Sequence, residues 1–215
     1  MANLEPLIQS IPVAPLKLAS LEGCRTLADQ VNNYLVSFRH ESPTNVGQAD
    51  SLQGYCADSY LLECECPRFG SGEGKGVLKE SVRGCDLFIM VDVTNYSLTY
   101  RVNGYENHMS PDNHYQDLKR IISAADGKAR RINVIMPFLY EGRQHKRSKR
   151  ESLDCALMLQ ELVDMGVSNI LTFDAHDPRV SNSIPLHGFD SFMPTYQFLK
   201  ALVNSVPDFV IDNDH

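Results

Sequence analysis

Short apolar runs without polar alternation constrain the fold of this chain more than any other feature. Leu87-Phe88-Ile89-Met90-Val91 is continuous, and residues 132–138 and 169–173 are close to it. Runs of this kind suit strands buried on both faces of a parallel sheet, whereas a half-solvated antiparallel strand alternates. Residues 16–21 and 60–66 add two further strands, the second with Tyr60, Leu62, Cys64 and Cys66 on one face. Between them lie segments of helical period. One is residues 22–38, with Leu27, Val31 and Leu35 on one side. Another is residues 112–125, with Leu118, Ile121 and Ile122 inside and Asp112 as the cap. A third is residues 152–165, built on Leu153, Leu157, Leu159, Leu162 and Val163 and stopped by Gly166; residues 196–203 form the last. Strands alternating with helices predict an α/β fold: an open, mostly parallel sheet with helices on both faces and right-handed connections. The segment 94–111 is polar and aromatic, the segment 40–53 reads as a loop or an insertion, and residues 209–211 as the start of a strand.

Composition narrows the function. The chain has 215 residues, enough for one large domain or one and a half. Its net charge of -7 and pI near 5.5 speak against a dedicated nucleic-acid binder, which carries a basic domain. The first residues lack the basic flank and apolar centre of a signal peptide, and no apolar stretch approaches the roughly 20 residues of a membrane span. A cytoplasmic protein with no membrane partner is expected. The six cysteines form no Cys-x-x-Cys and read as small buried residues.

Against this acidic background, five of the eight residues from Arg143 to Arg150 are cationic. The tract follows the apolar run 132–139. A strand that ends in a cationic loop is a common way to present charge to phosphates at the carboxyl edge of such a sheet, where ligands bind. A solvated charge run is the other reading of the tract alone. Asp174, His176 and Asp177 leave the run 169–173 at the same kind of edge. If the two strands are neighbours, the sets converge, and the acid–imidazole group can hold Mg²⁺ through side chains and water. A capping Asp174 and a hydrogen-bonded His176 in a turn is the alternative. The glycine-rich segment 69–76 fits neither a Walker A loop nor Gly-x-Gly-x-x-Gly, since Gly76 stands where the hydroxyl belongs and Lys75 where the third glycine belongs.

Taken in order, three segments resemble the amino-terminal half of the ribose-phosphate pyrophosphokinase family. Arg68-Phe69-Gly70-Ser71-Gly72-Glu73, followed by Glu80-Ser81-Val82-Arg83-Gly84-Cys85-Asp86, is similar to that family's Phe-Ser-Asp-Gly-Glu loop and its Glu-Ser-x-Arg-Gly segment. Pro137-Phe138-Leu139-Tyr140 with Arg143-Gln144 is similar to its aromatic turn and Arg-Gln loop. Asp174-Ala175-His176 with Ile184-Pro185 is similar to its Asp-Leu-His metal motif and Ile-Pro. The resemblance covers about residues 16–205. It implies a phosphoribosyltransferase-like fold and the transfer of diphosphate from Mg-ATP to ribose 5-phosphate, giving phosphoribosyl pyrophosphate and AMP. Carried over by position, Arg143 and Gln144 bind ATP, and Phe69 and Glu73 complete the adenine pocket from a neighbouring subunit of a homo-oligomer. His176, with Asp174, sits at the metal, and Lys146 and Arg147 face the phosphates as catalytic groups. Ser81, Arg83, Ser148 and Arg150 fall where the family places regulatory contacts between subunits.

Three departures accompany the resemblance. Ser71 replaces the family's aspartate, His145 replaces its acid after Arg-Gln, and the segment 94–113 is longer than in the common form. The family's second domain, which grips ribose 5-phosphate, is not matched. Residues 1–193 therefore read as the ATP-side domain and residues 194–215 as the start of a second one in a chain expected to be a fragment. The alternative implied by Ser71 and His145 is a non-catalytic, synthetase-like regulatory or assembly subunit.

Overall fold

The computed structural model describes residues 12, 14–41 and 54–206. Six strands form the main sheet: β1 (Leu16–Ser20), β2 (Leu61–Leu62), β5 (Asp86–Met90), β8 (Arg131–Ile135), β9 (Val167–Phe173) and β10 (Gly188–Phe192). Their order is β10-β9-β8-β5-β1-β2, and every neighbouring pair is parallel. β3 (Cys64–Glu65) and β4 (Val77–Leu78) make one small antiparallel pair; β6 (Thr99–Val102) and β7 (Tyr105–His108) make another. The helices are α1 (Arg25–Glu41), α2 (Pro111–Ala125), α3 (Asp154–Asp164) and α4 (Thr195–Ser205). None of them is long and apolar enough to cross a membrane, among the described residues.

The period-2 geometry of strands explains why the apolar runs are continuous. Leu87, Ile89 and Val91 point to one face, where they join Ala19 and Val134 in the larger core cluster. That cluster is closed by Leu118, Ile121 and Ile122 of α2 and by Met158, Leu159 and Leu162 of α3. Met90 and Leu18 point to the other face, packed with Ala28 of α1 and with Val31, Phe88 and Ile135. Helices cover both faces, as the alternation of elements predicts. α4 differs: none of its residues is buried, and Tyr196, Phe198 and Leu199 are exposed.

Several sequence expectations need correction. Residues 60–66 are not one strand. Leu61 and Leu62 pair with β1, but the chain then turns away, so Cys64 and Glu65 pair with β4 instead. The cap of α2 is Ser110, not Asp112; its hydroxyl accepts from Asn113 N at 3.3 Å, and Pro111 takes the first helical position, where a missing N–H costs nothing. The polar, aromatic segment 94–111, to which the sequence pattern assigns no element, holds the β6–β7 hairpin, turned by Asn103 and Gly104 with φ of 50° and 87°. Two consecutive left-handed residues make the turn that matches strand twist, and Asn-Gly is its strongest sequence signal. The sequence pattern assigns no element to residues 188–192, where β10 lies. Gly166 ends α3 as expected, at φ 92°. The strand expected at residues 209–211, and most of the segment 40–53, lie outside the described residues.

One buried polar chain crosses the sheet near its amino edge. Asp86 on β5 accepts from Arg131 Nε and Nη2 at 2.9 and 2.5 Å and from Asn133 Nδ2 at 2.7 Å, all on β8. Asn133 Oδ1 in turn accepts from Asn169 Nδ2 on β9 at 2.5 Å. A methyl group on Gly188 of β10 would lie 2.1 Å from Asn169 Oδ1, so only glycine fits opposite it. The β8–β9 register shifts between Ile132 and Asn133, which is what brings Asn133 level with Asn169.

At the carboxyl edge two non-glycine residues have left-handed backbones, Glu141 (φ 54°) and Asp174 (φ 44°). Such conformations are tolerated where the surroundings over-determine them. The Glu141 carboxyl is held above its usual range, first by partial burial and then by the charges of Asp154 and Asp112.

Asp86→Ala is expected to lower stability by about 2–3 kcal/mol, less than a fully dry pair because Arg131 reaches water; urea denaturation measures it. For Glu141, a raised folded-state pKa means that ionisation opposes folding. Glu141→Gln should therefore raise the melting temperature at neutral pH, with the gain shrinking as acid protonates the wild-type carboxyl. Thermal melts at both pH values test this, and a gain that grows in acid would refute it.

Candidate functional site

β8 and β9 are parallel neighbours, so both release the chain at one edge of the sheet. Past β8, Met136 N donates to Leu171 O at 2.9 Å, and the chain turns through residues 139–142, where Gly142 N donates to Leu139 O at 3.1 Å. A methyl group on Gly142 would sit 3.0 Å from that carbonyl, so a small residue keeps the turn tight. Past β9, Asp174 N donates to Phe192 O at 3.0 Å and Ala175 N to Ser191 Oγ at 2.9 Å, so β10 holds this loop from the side. The two loops enclose a cleft of about 420 Å³ whose walls include Phe138, Arg143, Phe173, Asp174 and His176. The cationic loop and the acid–imidazole group do converge.

Tyr140 anchors the turn that carries Arg143. Its hydroxyl donates to Asp112 Oδ1 at 2.6 Å, and its ring stacks on Tyr115 with centroids 4.6 Å apart. Tyr115 donates to Glu161 Oε2 at 2.7 Å, and Lys119 donates to Oε1 of the same carboxylate at 2.8 Å. Burial, followed by these carboxylate acceptors, pushes both phenols well above their usual pKa. They remain neutral donors, and the turn is tied to α2 and α3.

A second contact brings the loops together on their far side. His145 Nε2 lies 3.6 Å from Asp177 Oδ2, and the His145 and His176 rings are 5.0 Å apart and tilted by 60°. Asp177 also accepts from Arg179 Nε at 2.9 Å and Nη2 at 2.5 Å, and these bonds hold its carboxyl well below the usual range. The sequence signal for this residue is Asp-Pro: Asp177 caps the 3-10 turn Pro178–Ser183, accepting from Arg179 N at 2.9 Å. The contact to His145 depends on loop conformation and left no sequence signal.

Arg143, Lys146, Arg147, Lys149 and Arg150 have no ion-pair partner among the described residues, and all five are exposed. Arg68, Lys119, Arg120, Arg131 and Arg179, in contrast, are all paired with carboxylates. The tract therefore carries charge that no ion pair among the described residues neutralises. Only Arg143 of the five lines the cleft; Lys146 and Arg147 are exposed and do not line it. The Ser148 hydroxyl is taken by Glu151 at 3.2 Å.

Other expected site residues lie apart. Phe69 and Glu73 are on the loop between β3 and β4 and do not line the cleft. Phe69 is 55% exposed, and Ser71 Oγ donates to Glu73 Oε2 at 2.8 Å. Ser81 and Arg83 lead into the amino end of β5, the edge opposite Ser148 and Arg150, so one chain does not unite the four. Among the described residues no group of three or more His, Cys, Asp or Glu is placed to hold a metal ion. Asp174 and His176 can contribute two ligands at most, which suits a cation that arrives with oxygen ligands of its own. The cysteines are free; burial pushes the thiols of Cys64 and Cys155 up to about 11 and those of Cys24 and Cys66 up to about 12, leaving them protonated and inert.

The chain is similar to curated proteins named ribose-phosphate pyrophosphokinase. Those of Corynebacterium ammoniagenes and Bacillus cereus are each 29% identical over 167 residues, which is 77% of this chain and 41% of theirs. That of Bacillus caldolyticus is 30% identical over 122 residues, 56% of this chain and 34% of its own. The chain thus spans less than half the length of these relatives. The crystal structure of phosphoribosylpyrophosphate synthetase from Mycobacterium smegmatis superposes with a TM-score of 0.67 at 21% identity, over 88% of this chain and 52% of that one, which shows a shared fold. A family model described as the N-terminal domain of ribose phosphate pyrophosphokinase matches residues 16–166, well over half of the chain, and the chain belongs to that family.

Proposed function

We propose that the cleft between Arg143 and His176 receives the phosphates of ATP, and that the chain is the ATP-side domain of a ribose-phosphate diphosphokinase. One observation carries this reading: Arg143 and His176, delivered by neighbouring strands, face one cleft beside a tract of cations that nothing in the described chain neutralises. Diphosphoryl transfer asks for that arrangement. The anomeric hydroxyl oxygen of ribose 5-phosphate bonds to the β-phosphorus of ATP, the bond from that phosphorus to the α–β bridging oxygen breaks, and AMP departs. Catalysis then rests on alignment and on neutralising phosphate charge more than on covalent chemistry.

In this reading Arg143 and Gln144 hold the nucleotide, the Arg143 guanidinium lying against adenine, while Lys146 and Arg147 close over the phosphates as the loop folds inward. Asp174 and His176 hold Mg²⁺ together with phosphate oxygens, and the ion supplies charge neutralisation when bound. Phe69 and Glu73, which lie outside this chain's cleft, meet the nucleotide of another copy in a homo-oligomer. Ser81, Arg83, Ser148 and Arg150, on opposite edges of the sheet, meet across copies as a regulatory contact. Residues 1–193 form the ATP-side unit and 194–215 lead towards the part that binds ribose 5-phosphate; α4, with no buried residue, supports that division.

Calorimetric titration of the chain with ATP and Mg²⁺ tests the cleft. His176→Ala should weaken Mg²⁺-dependent ATP binding by about tenfold or more, the loss of one charge-assisted contact, with the circular dichroism spectrum unchanged. Equal affinity in the variant would remove His176 from the site. In the complete enzyme, Arg143→Ala should raise KM for ATP by about tenfold or more while leaving KM for ribose 5-phosphate nearly unchanged. An equal rise in both would refute the placement of Arg143.

A further inference from the structure

The β6–β7 hairpin contributes no buried residue to the core. It is nevertheless fastened at both ends. At its base Met109 N donates to Leu98 O at 2.9 Å, His108 Nδ1 pairs with Tyr96 O at 2.8 Å, and the two rings stack at 4.4 Å. Asn95, just before, pairs through its carbonyl with Nε2 of buried His114 on α2 at 2.6 Å. At its tip the hairpin lies on the loop that carries Phe69 and Glu73. Asn103 N donates to Gly70 O at 3.2 Å. Val102 packs so closely on Gly72 that a methyl group there would lie 2.9 Å from Val102 Cγ2, and Gly72 has φ 91°. The Tyr100 ring faces Arg68 with its centroid 5.4 Å from Cζ.

The two halves of that loop are secured by different means. Its foot belongs to α2: Arg68 donates two bonds to Asp117 at 2.6 and 2.8 Å, and Arg120 adds a third at 2.6 Å. Methyl groups on Gly74 or Gly76 would sit 2.2 Å from Arg68 Nη1 or 2.4 Å from Arg120 O, so the loop is wedged against the Arg68 side chain and the backbone of α2. The tip has internal bonds, Phe69 N to Glu73 O at 2.7 Å and Gly72 N to Phe69 O at 2.9 Å, but its backbone bond from outside comes from the hairpin. A tip that contains Gly70 and Gly72 has much backbone freedom to lose when it closes on a ligand.

We propose that the β6–β7 hairpin is a clamp that holds the Phe69–Glu73 tip in one ligand-ready conformation, with Tyr100, Val102 and Asn103 as positioning residues for nucleotide binding. The clamp rests on the reading that Phe69 and Glu73 meet the nucleotide of a second copy. Its physical effect is pre-organisation: the ordering cost is met by folding of the hairpin, so Phe69 stays half exposed and aimed outward before any base arrives.

The chain contains no tryptophan, so Phe69→Trp places a single fluorophore at the tip. Time-resolved anisotropy is compared between this variant and the same variant carrying Tyr100→Ala and Val102→Ala; ATP with Mg²⁺ is titrated into the wild-type chain and into a chain carrying the two alanine substitutions alone. The clamp predicts a fast local depolarisation that at least halves the residual anisotropy, with ATP affinity weakened by about fivefold to tenfold. Unchanged anisotropy in the folded protein would overturn the clamp whatever ATP does. A mobile tip with unchanged ATP affinity would instead overturn the assignment of Phe69 and Glu73 to the nucleotide, and with it the positioning role. Should the two alanines prevent folding, Val102→Ala alone is read by the same two measurements, with the same outcomes decisive.

Discussion

The carboxylate of Asp86 is the constraint on which the rest of the sheet depends. Apolar side chains alone specify the register of parallel strands weakly, because a slide of two residues replaces one aliphatic group with another on the same face. A buried charge is less tolerant. Sliding β8 against β5 would remove Arg131 and Asn133 from Asp86 and leave it unpaired in the core, at a cost of several kcal/mol. Through Asn133 the demand passes to Asn169 on β9, and through the space Asn169 fills it reaches Gly188 on β10. The polar chain sits at the amino edge, but it decides where the strands end. It thereby places Pro137 and Phe173 side by side at the other edge, where Phe173 N donates to Pro137 O at 3.3 Å, and Arg143 and His176 around one cleft.

The parts of this design that were legible in the sequence are those fixed by burial. Leu87 to Val91 cannot be exposed, so it had to be a central strand, and the residues that leave such strands had to gather at one edge. Arg143 and His176 were found in that way. The elements that were missed satisfy their backbone without a core. β10 has only an inner neighbour in the sheet, and its Gly188 and Asp190 dilute the apolar signal. The β6–β7 hairpin alternates only over the four residues Thr99 to Val102 and buries none of them, so its signal is short, although Asn103-Gly104 marks its turn. Residues 60–66 have the pattern of one strand and divide because β1 pairs with Leu61 and Leu62 alone. The contact between His145 and Asp177 was hidden for a different reason: it joins two loops whose paths no periodicity encodes.

Charge is distributed in two ways across the molecule. Within the fold, cations are spent on neighbours: Arg68 and Arg120 on Asp117, Lys119 on Glu161, Arg131 on Asp86. Along the tract from Arg143 to Arg150 they are not. An acidic chain whose basic loop finds no ion-pair partner among the described residues has a local field opposite in sign to its mean field, and such a field draws small anions.

The all-parallel arrangement of the main sheet also shapes how the chain reaches its native state. Each pairing in that layer joins segments separated by a long crossover, so none can form as a local hairpin. Asp86 must wait for Arg131 and Asn133, and these for Asn169, before the buried polar chain closes. Sheets of such high contact order assemble slowly, and their apolar strands stay uncovered meanwhile. During synthesis the two small antiparallel pairs can form early, but commitment to the correct layer arrives only with β9, so much of the chain must be kept from associating with its own copies until then.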